Sequence, residues 1–78
     1  MEPVEHFIRK NFLADPDGDL SNSTPLLSSG IIDSISALEL VEFLEQNYQI
    51  EFKPHEVDRE NLNTIDLIGE FIERKRTQ

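Results

Sequence analysis

Apolar residues in this chain recur every three or four positions in three separate stretches, and they alternate nowhere long enough to build a sheet. Helical spacing of that kind turns one side of each stretch toward a core and confines the fold to packed helices. The stretches are Val4, Phe7, Ile8 and Phe12; Ile35, Leu38, Val41 and Leu44, with Leu40 beside them; and Ile65, Ile68, Phe71 and Ile72. The spacing predicts helices over about 2–13, about 34–47 and from near Thr64 onward. Pro3 suits a first helical turn, where its missing N–H costs nothing. Asp33 or Ser34 can cap the second helix, and Asn63 is expected to cap the last. Arg74-Lys75-Arg76 closes the chain's last helix with positive charge against its dipole. A short helix is expected over His55 to Asn61, with Val57 inward and Leu62 closing it. Ile50-Glu51-Phe52 alternates but has no partner strand, so it is expected as an extended segment plugging Ile50 and Phe52 into the core.

At 78 residues the expectation is one domain over 1–78, with four helices and a short third one. A core of that size supplies only about 3–5 kcal/mol. There is no cysteine, hence no disulfide and no thiolate metal site. His6 and His55 are far apart in sequence, which argues against a zinc centre. No apolar run approaches the roughly 20 residues of a transmembrane helix, so no membrane insertion is expected. Met1-Glu2-Pro3-Val4-Glu5 is acidic where a secretory leader is basic, which points to the cytoplasm. Sixteen acids against seven bases give a net charge of −9. That balance repels phosphate backbones, excludes nucleic acid as a partner, and favours a protein with a basic patch.

Between the first two helices lies a long loop, Asp15 to Gly30, rich in proline, glycine and serine. Loops of such length in small domains are usually functional. Leu26 and Leu27 can tether it to the core. Asp15-x-Asp17-Gly18-Asp19 suggests a calcium loop, but that pattern needs glycine sixth and glutamate twelfth, where this chain has Leu20 and Leu26. A solvated acidic turn is the expectation, and no metal site is assigned. Two isolated histidines with nothing to orient them make no catalytic triad. The loop ends in Gly30-Ile31-Ile32-Asp33-Ser34-Ile35, which delivers one serine to a helix start. Ser34 could simply cap that helix. Equally, free N–H groups and the helix dipole favour a phosphate carried there. Glu39, Glu42 and Glu45 follow at three-residue intervals and place carboxylates along one stripe beyond Ser34.

These residues resemble the acyl carrier protein family over nearly the whole chain. The motif Leu27-x-x-Gly30-x-x-Asp33-Ser34-Ile35 is similar to the family's Asp-Ser-Leu signature, with Ile35 for the common leucine. Asn61-Leu62-Asn63-Thr64-Ile65-x-x-Ile68 resembles the passage between its last two helices. The resemblance implies an all-α four-helix bundle of the acyl-carrier type, not an enzyme, and a monomer. It implies 4′-phosphopantetheine on Ser34, with Asp33 as the motif residue. A magnesium-dependent phosphopantetheinyl transferase would attach the arm from coenzyme A. An acyl- or aminoacyl-loading ligase would charge its thiol as a thioester. Acyltransferases or synthases with basic patches would dock on Ile35, Glu39, Glu42 and Glu45. Leu38 is expected in the core. The missing cysteine fits, since the cofactor brings the working sulfur.

Two departures bear on the cargo. Fatty-acid-synthesis carriers commonly have an acid two residues after the serine, where this chain has Ser36, and Ile31-Ile32 is bulkier than usual. The pattern also looks like the D-alanyl carrier of lipoteichoic acid modification. Acyl cargo in fatty-acid, polyketide or specialised acyl-transfer pathways and aminoacyl cargo both stay open. A rival of another class is an unmodified acidic helical adaptor.

Overall fold

The computed structural model describes residues 2–13, 15, 18 and 20–77, with the side chain of Glu2 left aside. Asp17 and Asp19 of the acidic turn lie outside the described residues; within it, the Gly18 N–H donates to the Asp15 carbonyl at 2.9 Å. Four α-helices follow in order: α1 (Glu2–Phe12), α2 (Ser34–Tyr48), α3 (Arg59–Leu62) and α4 (Ile65–Arg76). The described residues contain no strand, and no helix is long and apolar enough to cross a membrane. The all-α four-helix expectation holds.

Val4 and Ile8 of α1 are fully buried. Phe7 lies against α2, its ring stacked on Phe43 with centroids 4.2 Å apart. Ile65, Ile68, Phe71 and Ile72 of α4 are buried as their spacing predicts. Phe52 is buried and stacks on Phe71 at 4.6 Å, so the extended segment after α2 does plug the core. Its N–H is received by the Glu45 carboxylate at 2.8 Å. Gln49 ends α2 in a left-handed conformation (φ 57°).

The buried face of α2 differs from the expected one. It is built from Ala37, Leu40, Val41 and Leu44, whereas Leu38 is 60% exposed and Ile35 is 74% exposed. The reason is geometric. At 3.6 residues per turn, a strict three-residue step falls back about 60° each time, so Ile35, Leu38, Val41 and Leu44 cannot share one face. The alternation of three and four that keeps a stripe straight is carried by Ala37, Leu40, Val41 and Leu44.

The third helix also differs. Instead of one helix over 55–61 there is a 3₁₀ turn, Pro54–Glu56, then a break, then α3. Asp58 causes the break. Its backbone is extended, and its carboxylate accepts the Asn61 N–H at 3.2 Å, starting a new helix. Val57, expected inward, is half-buried. The cap of α4 is Thr64, whose hydroxyl accepts the Leu67 N–H at 3.0 Å. Asn63, expected in that role, is itself in helical conformation, and its side chain goes elsewhere.

Asn63 holds the long loop. Its side-chain oxygen accepts the N–H groups of Leu27 and Ser28, both at 3.0 Å, and its carbonyl accepts that of Leu26 at 2.6 Å. The Asp66 N–H reaches the Asn22 carbonyl at 3.0 Å. At the other end, the Arg9 guanidinium donates to the carbonyls of Gly18 (2.7 Å) and Leu20 (3.3 Å). Leu26 is fully buried and Leu27 packs half-buried against the core, so they tether the loop as expected, and Leu20 is buried with them.

Candidate site at the start of the second helix

The loop reaches Ser34 through three local devices. Gly30 takes a positive φ of 85°, a conformation that only glycine adopts without cost. Ile32 then buries its side chain, and its N–H bonds back to the Leu26 carbonyl at 3.0 Å. Asp33 follows in extended conformation and caps α2, its carboxylate accepting the Ser36 N–H at 2.7 Å. That bond, reinforced by the Ser36 hydroxyl, holds the Asp33 carboxyl below the ordinary carboxylate range.

Capping by Asp33 decides the role left to Ser34. The serine is exposed, it is the first residue of α2, and its hydroxyl makes no hydrogen bond among the described residues. It does not serve the fold as a cap. It opens onto a cleft of about 510 Å³ between α2 and α3, whose walls include Leu27, Ile32, Ala37, Val57, Arg59 and Leu62. Neither histidine lines this cleft. His6 lies on α1 beside Phe7 and Phe43, and His55 lies in the 3₁₀ turn; both are exposed. The arrangement displays a hydroxyl beside a concave surface of apolar and charged residues, with the positive end of a helix at its back.

Ile35 and Leu38 continue from this site along the outer side of α2, with Glu39 and Glu42 exposed beside them. Glu45, grouped with those two acids by spacing, is half-buried and bonded to the Phe52 N–H. The three-residue step again explains this: each glutamate sits about 60° further round, and the third reaches the core's edge. Arg59 and Asn63 are the site residues that sequence reasoning missed. Neither has a local signal, since one matters through the cleft it lines and the other through bonds to residues 35 and 36 positions away.

Comparison with protein families matches residues 10–72 to the family described as the phosphopantetheine attachment site. The chain belongs to that family. Relatives of this carrier include the D-alanyl carrier protein of Lactococcus lactis subsp. lactis (strain IL1403), 36% identical over 53 residues, which are 68% of this chain and 67% of the relative. The D-alanyl carrier protein of Lactococcus lactis subsp. cremoris (strain MG1363) is 38% identical over 50 residues, 64% of this chain and 63% of the relative. As a member of the family, the chain is a phosphopantetheine-dependent carrier with 4′-phosphopantetheine as its covalent cofactor. The residues at the start of α2 fit that group. A phosphodiester suits a helix N-terminus, and an unbonded exposed hydroxyl is available to bear it.

Proposed function

We propose that Ser34 bears the 4′-phosphopantetheine and that the chain is an aminoacyl carrier of the D-alanyl class. The observation that carries the attachment site is the Ser34 hydroxyl: exposed, unbonded, and relieved of capping by Asp33. In the transfer from coenzyme A, the Ser34 oxygen forms the new bond to phosphorus and the pyrophosphate bond breaks. Adenosine bisphosphate leaves, and the hydroxyl proton passes to a base of the transferase, since neither histidine of this chain reaches the cleft. Once attached, the group supplies a thiol that holds cargo as a thioester.

This chain then presents its cargo and leaves the chemistry to its partners. Its contribution is a rigid start to α2 and a face for docking. Ile35 is exposed there, with the carboxylates of Glu39 and Glu42 alongside and Glu45 at the margin. Apolar contact from Ile35 and charge steering from the glutamates suit basic patches on a transferase, a loading ligase and an acceptor enzyme. The D-alanyl reading is supported by both relatives and by Ser36 where fatty-acid carriers commonly have an acid. An acyl carrier of fatty-acid or polyketide type is the second reading, supported by the breadth of the family match.

The test of cargo is loading of the pantetheinylated protein by an adenylating D-alanine ligase with ATP. A D-alanyl thioester, released by hydroxylamine, is the expected product. Loading by acyl-ACP synthetase with a fatty acid, but not by the D-alanine ligase, would overturn the D-alanyl assignment in favour of the acyl reading.

A further inference from the structure

Arg59, the first residue of α3, stands on the wall of the Ser34 cleft and is the only basic residue lining it among the described residues. Its guanidinium makes no hydrogen bond or ion pair among the described residues, although the chain holds sixteen acids. Three other cations of the molecule are committed, and Lys10, Lys53 and Arg76, which like Arg59 have no side-chain partner among the described residues, do not line the cleft. The Arg9 side chain binds loop carbonyls, Lys75 pairs with Glu56 at 2.8 Å, and Arg74 donates to Asn61 at 3.2 Å. The two carboxylates lining the same cleft are committed as well, Asp33 to the Ser36 N–H and Asp58 to the Asn61 N–H. Arg59 thus faces the cleft with its donors unused.

A phosphodiester on Ser34 adds a negative charge next to the Asp33 carboxylate, in a chain already at −9. Like charges at such range repel, and a nearby cation offsets the repulsion. A guanidinium is suited to the task, because its planar fork meets two phosphate oxygens at once. We propose that Arg59 is the phosphate-binding residue of the attached arm, holding its phosphodiester against α3. This rests on Ser34 as the point of attachment. Such a clamp directs the arm over the cleft, past Val57 and Leu62, and away from the outer side of α2. Ile35, Glu39 and Glu42 then stay open to a docking enzyme while the arm is parked.

The test compares unmodified and pantetheinylated protein, made with coenzyme A, magnesium and a transferase, as wild type, Arg59→Gln and Arg59→Lys. Phosphorus NMR reads the diester, and the Arg59 Nε–Hε signal reads the guanidinium. Arg59 is exposed, and the unmodified variants are expected to melt with the wild type. The expected result is a shift of the Arg59 signal on pantetheinylation and a phosphorus signal that moves toward that of free pantetheine phosphodiester in Arg59→Gln. From the strength of exposed charge pairs, the ratio of held to free arm should fall roughly two- to fivefold. Arg59→Lys should keep part of the effect, and high salt should reproduce the glutamine variant. Identical phosphorus signals in wild type and Arg59→Gln, with the Arg59 signal unmoved on modification, would overturn the clamp alone. Failure of Ser34 to gain any mass would overturn the attachment reading, and the clamp with it.

Discussion

At the scale of single residues, adjacent side chains divide the work at the start of α2. Asp33 satisfies the helix end, and Ser34 is left free. Replacing Asp33 with alanine should loosen the first turn of α2, lower the melting temperature and slow pantetheinylation, whereas asparagine, also a good cap, should restore most of the stability. The charge of Asp33 adds a pH dependence. Its folded pKa is depressed, as is that of Glu56, which Lys75 and then the Lys53 N–H hold down. The unfolded chain therefore binds more protons in acid than the folded one, so both groups contribute stability at neutral pH. That contribution is lost as pH falls from the ordinary carboxylate range through the lowered folded values. Urea titrations across the acid range should show this loss, with a shallower slope in Asp33→Asn. Asn63 is the other decisive residue. Asn63→Ala removes the acceptor for two loop N–H groups and should cost about 1–2 kcal/mol by urea denaturation. It should also slow arm transfer by letting the Ser34 loop drift.

At the scale of elements, α2 carries large apolar residues on two sides, one buried and one exposed. Leu44 is fully buried, and Leu44→Ala should cost about 2–5 kcal/mol. Leu38 is largely exposed, and Leu38→Ala should change stability by no more than about 0.5 kcal/mol. Thermal melts of the two variants separate these outcomes directly. The contrast also marks the limit of what the sequence reveals. The positions of α1, α2 and α4 are legible, because amphipathic periodicity is a local property. The rotation of α2 is misread because its apolar residues outnumber its buried ones, and Ala37 is too small to stand out in the pattern. The break before α3 hinges on whether Asp58 continues one helix or caps the next, and its residue type permits both; in the fold its carboxylate takes the Asn61 N–H and caps. Ser34, the proposed point of attachment, is legible as a motif. Its free hydroxyl is not, since either Asp33 or Ser34 could have been the cap.

At the scale of the molecule, the net charge of −9 is uneven in its effects. Glu39 and Glu42 are exposed and cost the fold little, so Glu39→Lys and Glu42→Lys should preserve stability while slowing association with a basic partner and flattening its salt dependence. Glu45→Lys should differ, because it also takes the acceptor from the Phe52 N–H and should lower the melting temperature. Stopped-flow association beside thermal melts tells the two behaviours apart. The central claim is that this fold exists to display one modifiable serine. Its most direct test is intact-protein mass spectrometry after incubation with coenzyme A, magnesium and a broad-specificity phosphopantetheinyl transferase. The expected result is one added phosphopantetheine that maps to Ser34 and is absent from Ser34→Ala. No added mass on the folded wild-type protein, or addition that survives in Ser34→Ala, would contradict it.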